Sequence, residues 1–315
     1  MTEAHQHRRG FTIVELLIVI VVIGVLAAIT IVAYTGINNQ ARLSAIKSTL
    51  EQQAKAMELW KTQNGEVYPA TLSAARAANM LDEDGGAYQI VDASYTVSPD
   101  RKNYCVSATV DPNGSGDRYS ITSTSGGAPI LGECVTNLIP NPSLEVNTVG
   151  SQQAGSDSGF VMTYPSDDGA QFGSRSVKVA TTVVGSGWFW NVPLATSSPY
   201  VGSIYVWGSG GSVQVNGRML YSDSSSYDWG SPSTANLGSA RIRLSATQST
   251  DPAKTLAGVY LWARSANATT PTFSVDGAML TRGSNLYSYG DGDTPGWFWN
   301  GTPHASRSTG PAVAL

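Results

Sequence analysis

The sequence is poor in the side chains on which most enzymes depend. It has three histidines and two cysteines in 315 residues, and 13% of its residues are charged. Only His304 lies beyond residue 10, so a Ser-His-Asp triad has one candidate base. No P-loop or G-x-G-x-x-G sequence is present, and Glu145 is the only glutamate beyond residue 137, whereas glycosidases need paired carboxylates. We therefore expect a protein that is not an enzyme.

A basic excess is also missing from the chain. Its formal net charge is -4, and neither half of the sequence is basic. Proteins that bind the phosphate backbone of nucleic acids depend on clustered Lys and Arg side chains. We therefore expect no nucleic-acid partner.

The two cysteines, Cys105 and Cys134, lie on the same side of the long apolar run described below. An even number of cysteines in an exported domain favours a disulfide. They do not form a C-x-x-C pair, and with one histidine beyond residue 10 a zinc site is a poor alternative. A structural disulfide between Cys105 and Cys134 is therefore expected.

The longest apolar run covers residues 11–34 and contains one charge, Glu15. As a helix it would be about 36 Å long, enough to cross a bilayer. It follows Arg8-Arg9-Gly10, and the stretch Arg9-Gly10-Phe11-Thr12-Ile13-Val14-Glu15 closely resembles the cleavage and methylation site of type IV prepilins. The alternative is a plain N-terminal membrane anchor in which Glu15 has no role.

This resemblance implies a processing and assembly sequence. Residues 1–10 would be a leader, a prepilin peptidase would cut after Gly10, and the new Phe11 amine would be methylated. Glu15 would neutralise the Phe11 amine of a neighbouring subunit. The chain would be a single-pass membrane protein before assembly with other pilin subunits, and afterwards part of an extracellular pilus on a bacterium.

Residues 11–136 are predicted to form a pilin domain of the α+β class, a long helix against a small antiparallel sheet. Residues 11–36 are its transmembrane and filament-core part. An apolar stripe then continues the helix to the stop signal Asn64-Gly65, with Gly24 and Gly36 as points where it could loosen. A short helix at 71–80 and strands at 95–98, 104–110 and 118–123 follow.

Residues 137–315 have a different character, with many short β-like runs separated by Gly- and Ser-rich turns. This pattern predicts an all-β jelly-roll sandwich. Residues 137–145 and 273–280 resemble the first and last strands of galactose-binding-like jelly rolls, which include carbohydrate-binding modules. That resemblance implies a structural calcium held by Glu145 and Asp276. The tail, residues 283–315, resembles segments of actinobacterial phage-tail and cell-surface proteins, and no chemistry follows from it.

Aromatic residues are concentrated in this second half. Gly-Trp-Phe-Trp-Asn occurs at 187–191 and again at 296–300, and flat indole rings stack well on sugar rings. The predicted ligand-binding residues are Trp188, Trp190, Trp297, Trp299, Tyr227 and Trp229. The alternative is that the tryptophans fill the sandwich core or clamp the tail onto it.

The sequence thus predicts a type IV pilus subunit, favouring a minor or tip pilin, that displays a glycan-binding sandwich for adhesion. Two alternatives stay open. One is a structural pilin whose second domain coats the filament, and the other is a secretion-system pseudopilin whose extra domain engages cargo. The short connection from Cys134 to Pro140 also predicts that the two domains are rigidly coupled.

Overall fold

The computed structural model describes residues 13–77, 91–109 and 117–315. The predicted processing residues Gly10 and Phe11 lie outside these ranges. The described residues form two helices and eighteen strands: α1 (Ile13–Gln63), α2 (Leu72–Ala77), β1 (Val91–Val97), β2 (Tyr104–Thr109), β3 (Tyr119–Thr122), β4 (Ile130–Leu131), β5 (Glu133–Asn137), β6 (Ser151–Ala154), β7 (Val161–Thr163), β8 (Val177–Ala180), β9 (Gly187–Pro193), β10 (Tyr200–Ser209), β11 (Ser212–Tyr221), β12 (Ser226–Asp228), β13 (Ser233–Asn236), β14 (Ile242–Gln248), β15 (Leu256–Ala266), β16 (Thr272–Arg282), β17 (Phe298–Trp299) and β18 (Ser308–Ala312).

Helix α1 has 51 residues and is about 77 Å long. It runs through Gly24 and Gly36 without a break and ends before Asn64-Gly65, where Gly65 adopts a positive φ of 71°. The large apolar side chains that the structure describes in its first half, between Ile13 and Ile37, are exposed. By length and composition alone, α1 could cross a membrane.

The second half of α1 packs on a four-stranded antiparallel sheet with the order β1-β2-β3-β4. Ile46, Leu50 and Met57 are fully buried there against side chains of β2 and β3. Their spacings of four and seven residues place them on one helix face, as the sequence predicted. We call this unit the pilin head. The predicted disulfide between Cys105 and Cys134 is present. Helix α2 is shorter than predicted, and residues 78–80 lie outside the described ranges.

Beyond β5, two antiparallel sheets pack face to face as a β-sandwich. The first sheet has the order β14-β10-β16-β8-β7, and the second has the order β12-β11-β15-β9-β6 with β13 also paired to β11. Several consecutive strands alternate between the sheets, as in a jelly roll. The core between them contains Val, Leu, Ile and Trp side chains from both inner faces. An all-β sandwich after a long helix is the predicted fold class.

A third unit connects the pilin head to the sandwich. Strand β5 pairs with β18, and β18 pairs with β17, so the C-terminal tail forms a small sheet with the segment that leaves the head. We call β5, β17 and β18 the junction sheet. The boundary predicted at residues 136 and 137 falls inside β5, because this strand pairs with the tail while leading from one unit to the other.

Candidate functional site

The first Trp-Phe-Trp sequence lies on β9, with its side chains alternating between the two faces of the second sheet. Trp188 and Trp190 point inward, where they are 3% and 0% exposed among the core residues. Phe189 lies on the opposite face, beside Tyr260 and Trp262. The structure therefore supports the core alternative for both tryptophans, because neither indole face is available to a ligand.

Trp229 is also a core residue rather than a surface residue. It is 2% exposed, and its ring lies directly over Gly217 and close to Gly202, where a Cβ atom would leave no space for the indole. The neighbouring Tyr227 has the opposite environment. It is 56% exposed and lines a cavity of about 410 Å³ with Tyr221, Gln248 and Lys254, so it remains available for ligand contact.

The second Trp-Phe-Trp sequence belongs to the tail, and Trp297 fastens this tail in place. Its indole N–H donates to the carbonyl of Pro311 at 2.8 Å, and its ring fills the space above Gly290 and Gly310. Thr122 and Thr124 of the pilin head donate to the carbonyls of Gly296 and Trp297, at 2.9 and 3.2 Å. Trp297 is therefore the predicted clamp, and it joins the tail to the pilin head as well as to the sandwich.

Trp299 is half-buried at the outer side of the junction sheet. Its indole N–H donates to Asp293 Oδ1 at 3.1 Å, and its ring centre lies 5.0 Å from that of His304. His304 Nε2 lies 3.3 Å from Asp293 Oδ2. The residues stabilise the turn between β17 and β18, and they leave part of the Trp299 ring accessible.

The outer face of the second sheet carries a group of aromatic and polar residues that the sequence analysis did not single out, in which Trp262 is buried and Tyr260 and Arg264 are half-buried. Cross-strand pairs place Asp228, Arg218, Tyr260 and Asn191 in one row, and Asn216, Trp262, Phe189 and Gln152 in the next. Arg264 follows Trp262 on β15, opposite Gln214 and Gly187. Directly paired residues of antiparallel strands project to the same side. We call the surface formed by Asn191, Arg218, Asp228, Tyr260, Trp262 and Arg264 the Trp262 face.

Two guanidinium groups cover the indole at the centre of this face. The Cζ atom of Arg264 lies 4.0 Å from the Trp262 ring centre, and that of Arg218 lies 5.6 Å away. Arg218 also forms a two-bond ion pair with Asp228, with Nη2 and Oδ2 3.1 Å apart. This ion pair raises the pKa of Arg218, whereas burial and then the charge of Arg218 lower the pKa of Arg264. One carboxylate thus balances two cations.

A signal for this face was present in the sequence. Tyr260, Trp262 and Arg264 alternate with Val259, Leu261 and Ala263, which is the period-two pattern of a strand with two different faces. The pattern predicted the strand, but it could not show that Trp262 faces outward while Trp188 and Trp190 face inward.

The predicted calcium ligands Glu145 and Asp276 both bind the loop that precedes β8. Asp276 is fully buried and accepts hydrogen bonds from the amides of Gln171 and Phe172, both at 2.8 Å. Glu145 accepts from the amides of Ser174 and Arg175, at 2.9 and 3.0 Å. Burial raises the pKa of Asp276 to about 8, and the negative charge of Glu145 acts in the same direction.

These two carboxylates suit a hard cation in donor chemistry, because calcium prefers carboxylate and carbonyl oxygens. Within the described ranges, no group of three or more His, Cys, Asp or Glu residues is placed to hold a metal. Both carboxylates already accept backbone N–H groups of the loop, so calcium binding by Glu145 and Asp276 stays a prediction.

Comparison with known proteins gives the family of the N-terminal part. Residues 5–31 match the family model described as "Prokaryotic N-terminal methylation motif". The chain is 30% identical over 137 residues to Fimbrial protein EcpC of Eikenella corrodens, covering 42% of this chain and 85% of that protein. The chain belongs to the type IV pilin family.

Two further relatives resemble the same part of this pilin. A fimbrial protein of Neisseria meningitidis is 32% identical over 103 residues, and the pilin covers 55% of that protein's length and 33% of its own. The type II secretion system core protein G of Pseudomonas aeruginosa is 26% identical over 126 residues, which cover 38% of this chain and 79% of that one. Each curated relative matches less than half of this chain.

Solved structures that resemble the pilin include carbohydrate-binding modules. The C-terminal family 22 carbohydrate-binding module of Clostridium thermocellum Xyn10B is 14% identical, with a TM-score of 0.39, covering 49% of the pilin and 94% of the module. The Stig cyclase Fisc of Fischerella sp. TAU is 13% identical, with a TM-score of 0.37, covering 48% and 98%. A binding module and a cyclase thus share this level of likeness, which indicates no ligand or activity for the pilin.

Proposed function

We propose that the chain is a type IV pilus subunit whose β-sandwich binds a glycan on the Trp262 face, which makes the pilus adhesive. Processing after Gly10 and assembly through α1 follow from membership of the pilin family. The chain would be anchored in the cytoplasmic membrane by the apolar half of α1 before it enters the extracellular filament. A bulky second domain favours a minor or tip position, because every added ångström of girth must fit along the filament.

The observation that carries the binding role is the composition of the Trp262 face. Tyr260 is half-buried beside Phe189, with ring centres 4.9 Å apart, and Asn191 is exposed directly opposite it on β9. An aromatic ring bordered by amide and guanidinium groups can stack on the apolar face of a sugar while its hydroxyls form hydrogen bonds. The role proposed here is binding without catalysis.

A calcium ion held by Glu145 and Asp276 is part of this proposal. The ion would supply two positive charges between two carboxylates, and it would fix the loop of residues 171–175 to the sandwich. This role is structural, because both side chains bind the loop and neither belongs to the Trp262 face.

The test is binding of the full chain, purified in detergent micelles, to a glycan array. We expect Tyr260→Ala to abolish binding and Tyr227→Ala to preserve it, because only the first removes a ring from the Trp262 face. Both variants must keep the melting temperature of the wild type within about 2 °C, a shift that corresponds to less than about 1 kcal/mol. Loss of binding in Tyr227→Ala alone would move the site to the cavity beside Tyr221.

A pseudopilin of a secretion machine is the second candidate, supported by the similarity to core protein G of the type II secretion system. In that case the sandwich would contact an exported protein, and no glycan would bind in the array. Deletion of the gene would then reduce secretion of a folded substrate without reducing adhesion of the cells. Adhesion lost with normal secretion would instead support the adhesive pilin.

A further inference from the structure

Arg264 is the charged residue of the Trp262 face whose guanidinium has unused hydrogen-bond donors. Among the described residues its side chain has no ion pair and no hydrogen bond, and its Nε–H is buried without an acceptor. Its partner in this arrangement is the ring of Trp262, which attracts the guanidinium but accepts no conventional hydrogen bond. A guanidinium carries five N–H donors, and a buried donor without an acceptor is unfavourable.

The charges around Arg264 leave the face with a local excess of positive charge. Asp228 is the one carboxylate on the Trp262 face, and both of its oxygens are engaged by Arg218. The other side chains in the three rows are amides, aromatic rings and small residues, including Gln214 and Gly187 on either side of Arg264. Gly187 adds no side chain to this row, so an external group can approach the guanidinium from β9.

A neutral sugar would use this arrangement poorly, since a hydroxyl satisfies one N–H and leaves the charge uncompensated. A carboxylate accepts two parallel N–H bonds from a guanidinium and balances its charge. Tyr260 lies four residues before Arg264 on the same face of β15, about 13 Å along the strand, so neighbouring sugars of one polymer could contact the two side chains.

We propose that the Trp262 face binds polymers that contain uronic acids, with Arg264 pairing the carboxylate of one sugar and Tyr260 stacking on the ring of a neighbouring sugar. This inference rests on the proposed glycan-binding function of the same face. It narrows the ligand class from glycans in general to polymers with carboxylated sugars.

The test compares polygalacturonate with the same polymer after chemical reduction of its carboxyl groups to alcohols. The two ligands differ only in the group that Arg264 would recognise. By calorimetry with the full chain in detergent, we expect the wild type to bind polygalacturonate at least about 10-fold more tightly than the reduced polymer. Arg264→Gln should remove that difference, and Arg264→Lys should restore part of it, because a lysine keeps the charge without the planar fork.

Arg241 offers a matched control on the other sheet. Its guanidinium lies 4.9 Å from the ring centre of Trp207, so Arg241→Gln removes the same kind of contact far from the proposed site. This variant should bind both polymers as the wild type does. Melting temperatures of all variants separate a lost contact from a lost fold.

Several results would overturn the inference and can be told apart from failure of the proposed function. If both polymers bind equally, the proposed glycan binding stands and uronate recognition is rejected. The same holds if the only array ligands whose binding depends on Tyr260 are neutral glycans. Preference for sulfated over carboxylated polymers, with the same dependence on Arg264, would also reject it. If no glycan binds in the array or by calorimetry, both proposals fail.

Discussion

At the scale of single residues, Glu145 and Asp276 have a precise structural role. Each anchors backbone amides of the same loop, and Gly173 lies where any side chain would collide with the Glu145 carboxylate. Asp276 is fully buried and Glu145 is half-buried, and the negative charge of Glu145 disfavours ionisation of Asp276. A cation between the two carboxylates would offset this repulsion, and its binding stays a prediction.

We predict that 1 mM calcium raises the melting temperature of the sandwich. A site occupied 100-fold above its Kd adds about 2.7 kcal/mol, or roughly 5–10 °C for a domain of this size. Asp276→Asn should lose this response, while Asp167→Asn should keep it, because Asp167 is exposed and pairs with Lys178 at 2.9 Å. Differential scanning calorimetry with EDTA, magnesium and calcium measures the effect. A wild-type melting temperature unchanged by calcium would reject the site.

At the scale of helices and strands, local patterns in the sequence predicted most elements of the fold. The period of α1 identified its buried face, and the β-like pattern of the second half agrees with the strands found there, among them β8, β10, β11, β14, β15 and β16. The face of each strand that points to the core could not be predicted in the same way, because Trp188 and Trp262 both occur in strands with apolar residues on two faces. Which face meets the core depends on the partner sheet.

The junction sheet could not be predicted from local sequence patterns, for a different reason. Strands β5 and β18 are separated by about 170 residues, and each is short and mostly polar. Their pairing satisfies backbone hydrogen-bonding groups of both segments, but neither sequence contains a pattern that predicts the other as its partner. The clamp role of the tail tryptophan was therefore predicted only as an alternative.

We predict that Gly310→Ala weakens the junction sheet. The new Cβ atom would lie 2.3 Å from Cγ of Trp297, so the indole must move away from its hydrogen bond with Pro311. Forcing a methyl group into such a contact costs about 1–3 kcal/mol. Trypsin should then cut faster at Arg282 and Arg307, which flank the tail strands, and mass spectrometry identifies the products.

Gly238→Ala is the control for this substitution, because a Cβ atom there meets nothing within 4 Å. It should leave the cleavage rates at Arg282 and Arg307 unchanged. If Gly310→Ala resists trypsin as well as the wild type does, then Trp297 does not limit the opening of the tail.

At the scale of the whole molecule, a continuous set of connections runs from the sandwich to the helix. Strand β5 joins the tail strand β18 and carries Cys134, which is bonded to Cys105 in β2 of the pilin head. Strand β2 in turn packs on α1 through Tyr104 and Val106. Load applied to the sandwich would then pass through the junction sheet and the disulfide into the helix, and the rigid coupling of the two domains stays a prediction.

The other end of the molecule is incomplete as a single subunit. The described large apolar side chains of α1 between Ile13 and Ile37 are exposed, and burying them requires lipid or the helices of other subunits. Glu15 lies within this apolar surface. The prepilin resemblance implies that this charge would pair with the Phe11 amine of a neighbouring subunit in the filament.

We predict that Glu15→Leu blocks assembly and leaves membrane insertion intact. The substitution makes the apolar segment more hydrophobic, so the subunit should still enter the membrane and be cut after Gly10. Losing one charge pair of about 1.4 kcal/mol or more reduces incorporation at least about tenfold. Thr30→Leu is the control in the same helix, because the Thr30 hydroxyl already donates to the carbonyl of Leu26 at 2.9 Å. Immunoblots of sheared pili and of membranes measure the two pools, and normal amounts of Glu15→Leu in sheared pili would show that the charge has no part in assembly.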